Sequence, residues 1–160
     1  MITPYFNIIV SKDAAVPKIL SDEDIQKMAS FFCGELALND KNYEINIIFV
    51  SPRDIQELNH KWRKKNKPTN ILSFPLNSED PANKRLLLGE LYICVDVVIE
   101  EAQNQGKKLT EHFQHMLLHG ILHLIGYTHE EKEDSFEMES LEASVLKKLG
   151  IKNPYEDINE

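Results

Sequence analysis

An apolar segment with regularly spaced histidines, residues 110–125, constrains the fold of this chain more than any other feature. Thr110 can cap a helix at its start, and Gly126 is the kind of residue at which a helix ends. His119 and His123 are four residues apart, so both side chains leave one face of the helix with their Cβ atoms ~5–6 Å apart. A helix this apolar is expected to be buried. The segment therefore predicts a central helix that carries a pair of histidines.

Strand and helix patterns alternate along the rest of the chain. Strands are predicted at about residues 5–10, 43–50, 71–76 and 86–95, and residues 77–85 are predicted to form a polar loop. Helices are predicted at about residues 21–38, 51–63, 96–105, 110–125 and 132–149. A chain of 160 residues has room for one domain, residues 1–160. The pattern predicts an α/β protein of the α+β type, with a four-stranded mixed sheet, packed helices and a metal site on the central helix.

Two predicted helices have apolar stripes. The helix that begins at Ser51-Pro52 is expected to turn Ile55, Leu58 and Trp62 inward. The last helix is expected to bury Phe136, Leu141, Val145 and Leu149. Two cysteines, Cys33 and Cys94, lie far apart at apolar positions and are predicted to be buried thiols.

The three histidines of residues 119–129 have the spacing of metal ligands. His119 and His123 form the helical pair, and a glycine at position 126 lets the chain fold back so that His129 reaches the same ion. Three neutral imidazoles leave one position of a tetrahedral site for water, which is the arrangement of a catalytic zinc centre. The spacing therefore predicts a metal site at His119, His123 and His129.

The other histidines are expected outside the ligand set. His115 precedes His119 by four residues, but residues 115–123 span ~12 Å of helix, too far for one ion to bind all three. His115 is therefore expected to be packed or to lie beside the ligands. His112 and His60 are expected to be surface or structural residues.

The spacing HxxxHxxGxxH also matches the metzincin proteases. Those enzymes need HExxH, in which the glutamate is the general base, and here that position is Gly120. Peptide hydrolysis by that route is therefore not expected. A metal that lowers the pKa of water to ~7 can still promote attack on a phosphodiester.

Charge and hydropathy limit the partners. The net charge is −8, which argues weakly against nucleic acid, but five of the seven residues from Lys61 to Lys67 are positive. The most apolar stretch, Leu86 to Val95, is interrupted by Glu90 and is far shorter than the ~20 residues of a membrane span. The N-terminus has no basic region ahead of an apolar one, as a secretory signal would. A cytoplasmic protein with no membrane partner is expected.

Several motifs resemble one known family. The segments HGILHLIGYTH (119–129), KPTNILSFP (67–75), LGEL (88–91), ELN…WR (57–63) and the tail at 139–155 resemble the YbeY family of bacterial endoribonucleases. The resemblance runs from about residue 45 to residue 155. Thr128 and Glu90 differ from the family, which commonly has aspartate at both positions.

The resemblance implies a function as well as a fold. It implies a single α/β domain, cleavage of single-stranded RNA, a role in maturing the 3′ end of small-subunit ribosomal RNA, and ribosome quality control. The implied partners are single-stranded and ribosomal RNA and the ribosome or its small-subunit assembly factors. The implied cofactor is one Zn²⁺ per chain, held by His119, His123 and His129, although three imidazoles also suit nickel or another divalent ion. Arg63 is the implied functional arginine.

The chemistry of the basic segment agrees with this. The Arg63 guanidinium presents paired donors that suit the oxygens of a phosphodiester under attack. The neighbouring lysines are expected to contact the RNA backbone: Lys61, Lys64, Lys65 and Lys67. Trp62 has two possible interpretations from the sequence: a core residue, or a stacking surface for a base.

Two other classes remain open from the residues alone. One is a metallopeptidase that uses the same metal helix. The other is a non-catalytic ribosome assembly factor in which the metal only holds the fold.

Overall fold

A computed structural model describes residues 4–156 and contains the predicted four-stranded mixed sheet with five helices. The elements are β1 (Tyr5–Val10), α1 (Asp22–Glu35), β2 (Asn42–Phe49), α2 (Pro52–Arg63), β3 (Ile71–Asp80), β4 (Arg85–Ile93), α3 (Val95–Asn104), α4 (Leu109–Leu124) and α5 (Lys132–Lys147). The strand order is β1-β2-β4-β3. β1, β2 and β4 are parallel, and β3 pairs antiparallel with β4. Within the described range, no helix is both long and apolar enough to cross a membrane.

Helix α4 is the central helix, as predicted. It contacts β3, β4, α1, α3 and α5, and its apolar side chains are almost all buried. The helix approaches β3 and β4 closely at Gly120, where an added Cβ would lie 2.5 Å from Ile71 Cδ1 and 3.0 Å from Leu91 Cδ2. Ser73 Oγ donates a hydrogen bond to the Gly120 carbonyl at 3.2 Å. The absence of a side chain at position 120 therefore sets how near the histidine-bearing helix lies to the sheet.

The starts of α1 and α2 are set by the predicted serine caps. The hydroxyls of Ser21 and Ser51 accept hydrogen bonds from the third residue after them, at 3.1 Å in both cases. The predicted cap of α4 at Thr110 is wrong, because this helix begins at Leu109, follows Lys108 and has no side-chain cap. Helix α2 ends at Arg63 because Lys64 adopts a left-handed conformation, φ 59°. That ending places Arg63 and the lysines after it at the edge of the sheet.

The predicted loop at 77–85 is largely wrong. β3 continues to Asp80, and its last residues pair with the start of β4. β3 is an edge strand, so its polar side chains stay exposed while the backbone bonds to β4. A register shift between Pro75 and Ser78 accompanies this change from apolar to polar strand.

Three residues expected to point inward are exposed. Trp62 lies in the last turn of α2 and is 59% exposed. Phe136, near the start of α5, and Leu149, just after its end, are 73% and 37% exposed. The buried face of α5 is instead formed by Met138, Glu142, Val145 and Leu146. The predicted burial of Val145 and the buried free thiols Cys33 and Cys94 are confirmed.

Candidate metal centre

The structure brings the three predicted histidines together at the C-terminal end of α4. The ring centroids of His119 and His123 are 4.6 Å apart. The ring centroid of His129 lies 4.7 Å from that of His119 and 4.9 Å from that of His123. Gly126 has φ +107°, and the Tyr127 amide bonds back to the Leu122 carbonyl, so the chain reverses direction just after the helix. One potential ligand atom from each histidine lies within 4.8 Å of the other two.

The hydrogen-bond partners define which nitrogen of each helical histidine is free. His123 Nδ1 lies 2.8 Å from the Tyr127 carbonyl oxygen, which only accepts, so Nδ1 carries the proton and Nε2 carries a lone pair. His119 Nδ1 lies 2.6 Å from Glu142 Oε1 and donates in the same way. The free nitrogens of both rings are therefore the Nε2 atoms.

The two free nitrogens fit a metal ion. They face each other at 3.1 Å, and two lone pairs at that distance repel unless a proton or cation lies between them. Two imidazole nitrogens on a tetrahedral zinc, each bonded at 2.0–2.1 Å, would lie ~3.3 Å apart. His129 is exposed and the other two are half-buried, so the site also opens to solvent. The donor set and its spacing fit a divalent cation with an accessible position.

Glu142 supports this pair from α5. Its side chain is fully buried and contacts His119 Nδ1 and the Tyr155 hydroxyl, which donates to it. Burial alone would raise the pKa of this carboxyl, but hydrogen bonds from His115, His119 and Tyr155 and the charge of His119 outweigh it and lower the pKa to about 2. Glu142 is therefore an ionised acceptor that fixes the His119 ring, as carboxylates commonly do beside metal-binding histidines.

Glu142 was missed as a site residue in the sequence, although a signal was present. It shares the buried face of α5 with Met138, Val145 and Leu146. An acidic residue on a buried helix face needs a partner, because an unpaired buried charge is costly. Glu142 lies three residues before Val145 and seven before Leu149, two positions predicted to be buried, so helical spacing already placed it beside the buried face.

The remaining histidines divide between supporting and structural positions. His115 Nε2 lies 3.2 Å from the Tyr155 hydroxyl and 3.6 Å from Glu142 Oε2, so His115 lies beside the ligands, one of its two predicted places. His112 is buried and its Nε2 lies 3.0 Å from Glu101 Oε1, while His60 is exposed on α2. Thr128, where aspartate was expected, lies 3.5 Å from Asp134 Oδ2.

The histidines line a cleft of about 740 Å³, called the metal cleft here, which α4 forms with β3 and the end of α2. The cleft is also lined by Arg63, Trp62, Phe74 and Pro75. Trp62 packs edge-to-face on Phe74 at 5.9 Å between centroids and leaves most of its surface exposed. Lys61, Lys64, Lys65 and Lys67 are exposed beside the cleft and do not line it.

The metal cleft does not have the geometry of a zinc protease. A glutamate at position 120 would have to displace Ile71 and Leu91, whose side chains are buried against α4. The HExxH general base therefore has no place on this helix. The groups available are three histidines that could hold a metal ion, an arginine and an exposed indole ring.

Comparisons with known proteins point in the same direction. A family model described as endoribonuclease YbeY matches residues 8–150. A protein named endoribonuclease YbeY from Ehrlichia chaffeensis is 38% identical over 151 residues, which are 94% of this chain and 90% of the relative. One of the same name from Colwellia psychrerythraea is 46% identical over 116 residues, 72% of this chain and 74% of the relative. The solution structure of a Thermotoga maritima protein covers 95% of both chains with a TM-score of 0.56 and 27% identity.

Proposed function

Because the chain belongs to the endoribonuclease YbeY family, we propose that it hydrolyses single-stranded RNA at a divalent metal held by His119, His123 and His129. The observation that carries this proposal is the pair of facing Nε2 atoms, 3.1 Å apart, in a cleft that also contains Arg63. Zinc is the proposed metal, since three imidazoles in a small site are typical zinc ligands. When bound, such a cation supplies a Lewis acid that polarises a phosphoryl oxygen and lowers the pKa of water.

Arg63 is proposed to stabilise the phosphodiester as charge develops on it. The side chain is exposed at the end of α2, and within residues 4–156 it has no carboxylate partner. A guanidinium that is not held by a carboxylate is free to give two parallel hydrogen bonds to phosphate oxygens. Arg63 lines the same cleft as the three histidines, which supports a role at the same phosphate.

Trp62 and the four lysines are proposed to bind the nucleotides around that phosphate. The exposed ring of Trp62 lines the metal cleft, which supports the second of its two predicted roles, stacking on a base. Lys61 Nζ lies 5.1 Å from the Trp62 ring centroid, so a cation accompanies this aromatic surface. Lys64, Lys65 and Lys67 extend the positive charge beyond the cleft, at the place where an RNA backbone would leave the cleft.

The cellular role follows the family resemblance. We propose that residues 1–160 form one catalytic domain that acts on the 3′ end of small-subunit ribosomal RNA and in ribosome quality control. Its partners would be the ribosome or small-subunit assembly factors. The two free buried thiols suit a reducing compartment, and we place the enzyme in the cytoplasm.

Single-turnover cleavage of a single-stranded RNA tests this proposal. Arg63→Ala is expected to lower the rate at saturating RNA by 10²–10³, the range measured when one preorganised hydrogen-bond donor to a developing charge is removed. Arg63→Lys is expected to recover only part of this loss, because an ammonium cannot make the paired contact. If Arg63→Ala changes only the apparent affinity, its proposed role in the chemistry is wrong.

The lysines provide a matched contrast in the same assay. Lys64→Ala and Lys65→Ala are expected to weaken RNA binding and to reduce its salt dependence while leaving the saturated rate unchanged. Lys41→Ala, in the turn before β2, removes the same charge far from the cleft and is the control. Metal content, measured by elemental analysis, should be the same in all of these variants.

A further inference from the structure

A second cleft, larger than the metal cleft, lies one helical turn away along α4. Its volume is about 890 Å³. The proposed metal ligands, Arg63 and the lysines of residues 61–67 do not line it. Its walls come from the end of α3, the first half of α4 and the segment after α5. We call it the second cleft.

Asn70 connects the two clefts, because its side chain lines both. The Asn70 amide nitrogen lies 3.1 Å and 3.2 Å from the two Glu101 carboxylate oxygens, and its oxygen accepts from the Ile71 amide at 2.7 Å. The side chain is therefore fixed as a partition between the clefts. On α4, His115 lines the second cleft and His119 lines the metal cleft, and residues at this spacing lie ~5–6 Å apart. The two clefts thus follow one another along one helix.

The charges of the second cleft suit an anion. Three lysines line it, Lys107, Lys108 and Lys152, together with the carboxylates of Glu101 and Glu111. Glu101 is already engaged by Asn70 and by His112 Nε2 at 3.0 Å. Lys107 and Lys108 therefore share the cleft with one carboxylate, Glu111, that neither Asn70 nor His112 engages, in a protein of net charge −8. Salt limits such attraction to ~8–10 Å, so the effect is local to the cleft.

The inner wall of the second cleft suits a flat, partly polar molecule. Apolar surface comes from Met116, Leu146, Ile151, Pro154 and the ring of Tyr155. The buried imidazoles of His112 and His115 lie among them, and each keeps an Nδ1 without a hydrogen-bond partner within residues 4–156. Apolar walls with a few polar groups are typical of small-ligand sites, and a nucleobase has both kinds of surface.

We propose that the second cleft is a nucleotide subsite for the RNA that passes the metal. In this arrangement, which rests on the proposed function, the strand crosses Asn70, places one base against Met116 and Tyr155, and brings a phosphate near Lys107 and Lys108. Arg63 and the lysines beside it hold the strand at the other end. The subsite makes RNA affinity depend on strand length, because only a longer strand fills both clefts.

Two variants with one control test the subsite. Gln105→Trp fills the second cleft from an exposed position on its rim, and Lys107→Ala/Lys108→Ala removes its charge. Lys12→Ala/Lys18→Ala removes the same charge from the segment between β1 and α1, which lines neither cleft. Binding and single-turnover cleavage are measured with a trinucleotide and with a single-stranded dodecanucleotide.

The unmodified protein is expected to bind the longer RNA more tightly than the trinucleotide. Gln105→Trp should lose roughly tenfold in affinity for the longer RNA, the scale of one stacked base. Lys107→Ala/Lys108→Ala should also weaken this binding and reduce its salt dependence, because phosphate contacts are removed. Both variants should keep the saturated cleavage rate of the trinucleotide and their metal content, and the control should match the unmodified protein. Equal affinity of all proteins for the longer RNA, or an equal loss in the control, would overturn the subsite. If the unmodified protein cuts neither RNA, the proposed function fails instead.

Discussion

The two halves of α4 carry the same residue type for opposite purposes. In the first half, the Nε2 atoms of His112 and His115 face protein partners, Glu101 and Tyr155. In the second half, the Nδ1 atoms of His119 and His123 face protein partners, and their Nε2 atoms face each other across the metal cleft. The free Nδ1 atoms of the first half are buried, whereas the free Nε2 atoms of the second half face each other in the cleft, so the second half is the one that offers a pair of ligand atoms to a metal.

A neutral imidazole is not what distinguishes the histidines in the two halves of α4. Burial lowers the pKa of His112, and burial followed by the charge of His119 lowers the pKa of His123. Both rings are thus kept unprotonated near neutral pH, which a metal ligand requires. His123 differs because its Nδ1 is held by the Tyr127 carbonyl, a partner that the glycine turn after α4 supplies.

The largest effect is expected when the histidines of the second half are removed. His119→Ala or His123→Ala should abolish stoichiometric metal binding, because two imidazoles and water hold a cation far less tightly than three. His112→Ala and His115→Ala should retain the metal. Elemental analysis after dialysis measures this, and metal that persists in a variant lacking His119, His123 and His129 would refute the ligand assignment.

A smaller effect is expected at Glu142, which contacts histidines of both halves. Glu142→Gln should weaken metal affinity 10–100-fold, the usual loss when a group that orients a ligand is changed. Tyr155→Phe should weaken it less, because Glu142 then keeps its bond to His119. Competition with a chelator gives the affinities. Unchanged affinity in Glu142→Gln would show that the buried carboxylate only fills space.

Acid should release the metal from the histidine site at the end of α4. The pH at which half of the metal is lost should be higher in Glu142→Gln than in the unmodified protein. Protons compete for the ligand nitrogens as pH falls below the ordinary histidine pKa of ~6.5, shifted downward by the metal. With as many as three protons competing, a 10–100-fold weaker affinity moves the midpoint upward by roughly half a pH unit. Metal occupancy across a pH series measures the shift. The same midpoint in both proteins would contradict the prediction.

The smallest effect is expected on the fold itself. Metal removal should leave the helical signal in circular dichroism almost unchanged, because α4 is held by buried apolar contacts such as Phe113, Leu117 and Ile121. The loss of bound metal should lower only the melting temperature. A chelated protein that unfolds at room temperature would instead support a metal that only holds the fold.

The sequence was sufficient for the central helix, the strand count and the histidine cluster. These features depend on local signals: apolar periodicity for α4, serine caps for α1 and α2, and a glycine turn for His129. The polar half of β3 was not predictable in this way, since its pairing depends on β4 rather than on its own side chains.

The support around the histidines was also beyond the sequence. Glu142 and Tyr155 come from α5 and the segment after it, and only the packing of α5 against α4 brings them to His119. Trp62 was placed inward by helical spacing, but the edge of the sheet ends beneath it and leaves the ring exposed. Periodicity describes a helix face and does not tell how much of that face is covered.

The close packing at Gly120 also limits how this gene can change. One residue change, Gly120→Glu, would turn this segment into the protease motif HExxH. The mutant side chain would collide with Ile71 and Leu91 beneath α4, where an added Cβ already lies 2.5 Å and 3.0 Å from their methyl carbons. The Gly120→Glu protein is therefore expected to fold poorly, so it would be removed by selection before it could gain peptidase activity. The close contact between α4 and the sheet therefore prevents this protein from acquiring the general base of a zinc protease by substitution at position 120.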